Sequence, residues 1–135
     1  MLLLAIVYFT IVAATLAFYA IGALWYSPVL FVKTWMKELK INPDTMEKPN
    51  MAKIMSLTFV LTFIMVTNLA FFISGPETTA GTGALYGFLT GFGWVAMAMI
   101  LTALYESRTW RYMAINGGYM AVGFTVAGLI LGAWK

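Results

Sequence analysis

Apolar residues fill this chain in long blocks broken by short polar segments. The blocks cover about residues 2–26, 51–73, 84–105 and 112–134. A bilayer core of roughly 30 Å is crossed by about 20 helical residues, so each block predicts a membrane-spanning helix. The polar interruptions predict the rest. Pro28 lacks a backbone donor and disfavours helix at Ser27, so the first helix should bend or stop there. Residues 29–40 predict a short amphipathic helix lying along the interface. Leu30, Phe31, Thr34 and Trp35 fall on one side, with Lys33, Lys37 and Lys40 on or beside the other. Residues 41–50 form a polar loop punctuated by two prolines, 74–83 a turn-rich loop without Lys or Arg, and 106–111 a tight link. The expected fold is all-α: a polytopic integral membrane protein with four transmembrane helices and one interfacial helix, in a single domain over 1–135.

Composition sharpens this picture. The chain is 62% hydrophobic and 10% charged, against roughly 25% charged in soluble domains. The start carries no Lys or Arg ahead of its apolar run and no small-residue cleavage pattern, so the first block is expected to stay as a span. Cysteine is absent, which excludes thiol catalysis, disulfide exchange and thiolate metal sites. Histidine is absent too, removing the commonest general base and the usual zinc ligand. The ten methionines suit gap-filling better than copper, given no His or Cys beside them. A net charge of +3 without a basic soluble face gives no footing for nucleic acid. No cofactor and no metal is expected.

The charge is unevenly placed. Lys33, Lys37, Lys40, Lys48, Lys53, Arg108 and Arg111 all fall at the first and third loops, while the other side has only Lys135 and the terminal amine. The positive-inside rule then predicts loops 27–50 and 106–111 in the cytoplasm and both termini outside. A weak echo between Ala23-Leu24-Trp25-Tyr26-Ser27 and Ala103-Leu104-Tyr105-Glu106-Ser107 fits either a duplicated hairpin or chance.

Three constellations stand out. On the first helix Tyr8, Thr15, Tyr19, Gly22 and Tyr26 share one face, which should turn toward protein because hydroxyls in hydrocarbon need partners. Gly83, Gly87 and Gly91 recur at four-residue spacing and let helices approach closely, either within the chain or between copies. Gly123, Ala127 and Gly128 offer a similar ridge on the fourth helix, with Asn116 in line. Near the cytoplasmic end, Trp25, Tyr26, Glu106, Asn116 and Tyr119 are expected at one depth. They form the candidate ligand-binding set. Glu106 could instead pair with Arg108 or Arg111, and Asn68 reads as a packing amide.

Gly22-x-Leu24-Trp25-Tyr26-Ser27-Pro28-x-Leu30-Phe31-x-Lys33-x-Trp35, Tyr105-Glu106-Ser107-Arg108, Ile115-Asn116-Gly117-Gly118-Tyr119 and the closing Gly132-Ala133-Trp134 resemble the DUF1761 family over nearly the whole chain. That resemblance implies a small four-helix membrane protein of a mainly bacterial family with no known function, and so an inner-membrane location. The family's pattern often has an acidic residue at the position of Asn116 and a histidine at that of Met120. Titration or metal binding there is not implied for this chain.

The expectation is a non-enzymatic module with no catalytic residues. It self-associates as a parallel homo-oligomer and binds membrane lipid or another amphipath at a cytoplasmic-side pocket. A homo-oligomeric transporter or channel is the alternative, which an ionisable residue deep in a helix would favour; none is present. An enzyme would have to rely on Glu106, tyrosines and arginines.

Overall fold

The computed structural model describes residues 2–40, 42, 50–73 and 75–134. The described residues form helices joined by turns and loops, with no strand. α1 is Leu2–Trp25, α2 Val32–Glu38 and α3 Met51–Ile73. The third span runs through α4 (Ala80–Thr90), a π-helical turn (Gly91–Ala96) and α5 (Met97–Tyr105), and α6 is Trp110–Ala133. Among the described residues four helices are long and apolar enough to cross a membrane: Val7–Trp25, Met51–Ile73, Ala80–Tyr105 and Trp110–Ala133. Apart from residues 42 and 50, the polar loop 41–50 lies outside the described residues, as does Lys135.

Local chemistry explains where the helices begin. Asn50 accepts from the Lys53 backbone N–H at 3.2 Å and opens α3. Thr79 and Thr82 cap each other reciprocally, so the third span begins at Ala80, inside the stretch whose composition predicts loop. Thr109 accepts from the Tyr112 backbone N–H and opens α6 at Trp110. The interfacial helix is shorter than expected. Residues 29–31 are taken up by a turn in which Phe31 N–H reaches Trp25 O and Val32 N–H reaches Ser27 O. Lys40, at φ 59°, lies in the left-handed region just beyond its end.

α6 is the central element. Over half of its apolar window, 56%, is buried, against 22–28% for the other spans. It packs on α1, on the third span and on α3, and α2 rests against it. The core joins Ile11, Ala14 and Phe18 of α1, Val66 and Leu69 of α3, and Tyr119, Phe124, Ala127 and Leu131 of α6. Threonines inside the spans donate to the carbonyl one turn back, as Thr15 does to Ile11 O and Thr62 to Thr58 O, both at 2.7 Å. Such bonds satisfy a hydroxyl without a partner helix.

The glycine ridge of the third span is spent inside the chain. A Cβ added at Gly83 would run into Gly128 O, and one at Gly87 into Phe124 O. Gly128 and Gly132 meet the backbones of Gly83 and Thr79 as closely from the other side. The α4–α6 seam is therefore backbone on backbone, with no room for a side chain on either helix. Of the two uses expected for Gly83, Gly87 and Gly91, it is packing within the chain that the geometry provides. A second copy cannot reach them, because α6 already covers them.

By contrast, α3 barely touches α4. The gap between them is open along the side of the bundle.

Candidate functional site

Four of the five residues singled out at the α2 end meet. Tyr26 donates its phenolic O–H to Asn116 Oδ1 at 2.5 Å, and Trp25 Nε1–H donates to Ile115 O at 2.8 Å. The Tyr119 ring meets Tyr26 edge-on at 5.5 Å between centroids and Phe18 at 5.4 Å. Two glycines make the approach possible: the Tyr119 hydroxyl lies over Gly22, and the Trp25 ring over Gly118. Trp25 also packs on Phe31, and Tyr26 on Trp35, which ties the turn and α2 to the bundle. The carbonyls around Pro28 are used as well. Leu24 O accepts from Ser27 N–H and its hydroxyl, and Ser27 O accepts from Leu30 and Val32 N–H. Trp25, Tyr26, Asn116 and Tyr119 thus form a knot in which polar tips meet polar partners and rings fill the space between.

Glu106 makes its contacts elsewhere: its ion pair is with Arg108, and the hollow it lines includes neither Trp25, Tyr26 nor Tyr119. It shares with Asn116 a small hollow of about 70 Å³, also lined by Met99, Thr102 and Tyr112. Its carboxylate takes Arg108 Nε at 3.4 Å, and the Arg108 guanidinium lies over the Tyr112 ring at 5.4 Å. That hollow is well below the ~300 Å³ at which ligand-sized sites begin. The five residues do not ring one opening.

A second carboxylate, which the sequence pattern does not single out, holds this end together. Glu38 Oε2 accepts from Thr109 Oγ1 at 2.6 Å, and Glu38 Oε1 lies 3.8 Å from Arg111. Its side chain is only 12% exposed. Because Thr109 opens α6, this bond fixes the end of α2 to the start of the central helix. Among three lysines in the sequence, Glu38 has the look of one more solvated charge.

The ligand-sized space is elsewhere. A groove of about 610 Å³ runs between α3 and the third span. Met65, Leu69 and Ile73 line it from α3, Val95 from the π-helical turn and Phe124 from α6. Four polar side chains line it too: Asn68, Tyr86, Thr90 and Trp94. Phe72 and Trp94 stand at its rim, 82% and 74% exposed. Asn68 is no packing amide. It is exposed, and its Nδ2 donates back to Ile64 O at 2.9 Å. Tyr86, Thr90 and Trp94 recur every four residues, a periodicity that the sequence carries alongside the more conspicuous glycines. The π-helical turn bears on this face. Each π turn inserts one residue into the α repeat and rotates the helix beyond it by about 100°, a distortion common near functional sites.

Among the described residues no group of three His, Cys, Asp or Glu side chains could hold a metal ion.

The arrangement defines an all-helical protein of four membrane-capable spans, with a sealed aromatic knot at one end and an open groove on one side. The family described as "Protein of unknown function (DUF1761)" matches residues 9–132, and the chain belongs to it. No curated protein and no solved structure matches the chain.

Proposed function

We propose that this protein is a non-enzymatic membrane module that binds a lipid-like amphipath in the groove between α3 and the third span. The observation that carries this reading is the groove itself. Its 610 Å³ lies within the roughly 300–1,000 Å³ of ligand sites, with an apolar floor and a few polar groups. The seat moves from the α2 end to the side of the bundle because Trp25, Tyr26, Asn116 and Tyr119 are committed to one another. The basic residues Lys33, Lys37, Arg108 and Arg111 at the α2 end suit a cytoplasmic face with anionic headgroups, and threading with both termini outside is part of the proposal. Self-association as parallel copies belongs to it as well, through a face other than the glycine ridge.

Thr90 lines the groove, with its hydroxyl bonded to Tyr86 O at 2.9 Å. Thr90→Trp should fill it. Native mass spectrometry of protein released from lipid nanodiscs should then show fewer retained lipid adducts at an unchanged melting temperature. An unchanged adduct pattern would overturn the reading. For threading, a cysteine at Thr78 should react with an impermeant thiol reagent in intact cells, while one at Thr34 should not. The opposite pattern would reverse the orientation.

A further inference from the structure

Resting on that reading, we infer that the groove selects an amphipath with an uncharged hydrogen-bonding head, seated inside the apolar layer rather than at its surface. Among the described residues no charged side chain lines the groove. Its polar side chains supply an amide, a phenol and an indole N–H, from Asn68, Tyr86 and Trp94, while the Thr90 hydroxyl is already donated to Tyr86 O. Asn68 spends one N–H on Ile64 O, which leaves its carbonyl oxygen and second N–H facing the space. Among the described residues neither the Tyr86 hydroxyl nor the Trp94 indole has a hydrogen-bond partner. The set therefore offers both donors and acceptors, as a hydroxyl- or carbonyl-bearing head requires.

Position along the helices sets the depth. At 1.5 Å per residue, Asn68 lies ~7 Å along the axis from the end of α3 at Ile73, and Tyr86 ~9 Å from the start of α4 at Ala80. Trp94 lies ~21 Å from that start by the same rise. Within an apolar layer a charged phosphate would lose its hydration to a groove whose described residues supply no counter-charge. An acyl chain alone would leave Asn68 and Tyr86 facing hydrocarbon unpaired. A neutral head answers both conditions.

A second copy of the chain fits the groove less well. Close helix pairing in a membrane uses small residues, and the rim here is Phe72 and Trp94. A flexible tail can lie between two such rings where a rigid helix cannot.

The test uses the full chain in vesicles with two photoactivatable, alkyne-tagged probes of equal acyl chains, a diacylglycerol and a phosphatidic acid. Diacylglycerol should label peptides around Asn68 and Trp94 about fivefold more than phosphatidic acid, the worth of roughly one hydrogen bond. Asn68→Leu and Tyr86→Phe should each reduce that labelling several-fold while the melting temperature holds. Equal labelling by the two probes, or labelling unmoved by both variants, overturns the neutral-head inference and leaves an amphipath groove standing. Labelling by neither above that of the exposed α1 surface at Leu16 overturns the groove reading too. Cross-links between copies at Phe72 that compete with the probe would make the occupant a second chain.

Discussion

The third span has two working faces that obey opposite rules. Toward α6 it shows Gly83, Gly87 and Gly91, and the helices meet backbone to backbone. Toward α3 it shows Tyr86, Thr90 and Trp94, and the helices stand apart around a groove. Both stripes repeat every four residues on the same span. Side-chain size, not spacing, decides which face closes. Lipid tails are as apolar as leucine, so closure in a membrane depends on dispersion at short range. The glycine face gains it along the seam. The aromatic face cannot come close enough, and it keeps polar atoms that a tight seam would bury without partners.

The comparison can be broken most severely at the seam. Gly87→Leu should cost more than about 4 kcal/mol, because the new side chain meets Phe124 O and the Thr125 backbone, which cannot move aside. Reversible unfolding in detergent would show it as loss of the cooperative transition. A near-wild-type transition would mean the seam is looser than the structure has it. The next largest effect lies in the aromatic knot. Asn116→Leu removes the acceptor of the Tyr26 hydroxyl and should cost about 1–3 kcal/mol in the same assay. The smallest effect is at Gly93 in the π-helical turn, where an added Cβ meets nothing within 4 Å. Gly93→Ala should shift stability by less than ~1 kcal/mol and in the stabilising direction. A large loss there would show that the open side of the span is packed after all.

Much of this architecture is legible in the residues. The four spans come from block length, and residues 51–73 match α3 to the residue. That Tyr26, Asn116 and Tyr119 share one depth is readable from helix position; that they meet is set by packing. The features that escape a linear reading depend on contacts that a pattern of residues does not encode. The reciprocal Thr79–Thr82 cap sits in a Gly- and Thr-rich stretch whose composition favours turns, so the third span starts earlier than its apolar block suggests. Val29, Leu30 and Phe31 continue an amphipathic spacing, yet carbonyls left free beside Pro28 draw the backbone into a turn. Glu106 is expected at the depth of the tyrosines, but the hollow it shares with Asn116 is lined by neither Tyr26 nor Tyr119. Depth is readable from sequence, whereas rotation about the bundle axis is set by packing. The groove is hidden for the same reason. Asn68 and Trp94 belong to different spans, and only the weak α3–α4 contact makes them neighbours.

The central place of α6 has a consequence for how the protein is made. A ribosome delivers this span after the other three. Until it arrives, Gly22 has no Tyr119 over it, Tyr26 has no Asn116 for its hydroxyl, the third span has no partner for its glycines, and Glu38 has no Thr109 to hold. α1 and α3 can pack on each other beforehand, but the third span has no seam to close until α6 arrives.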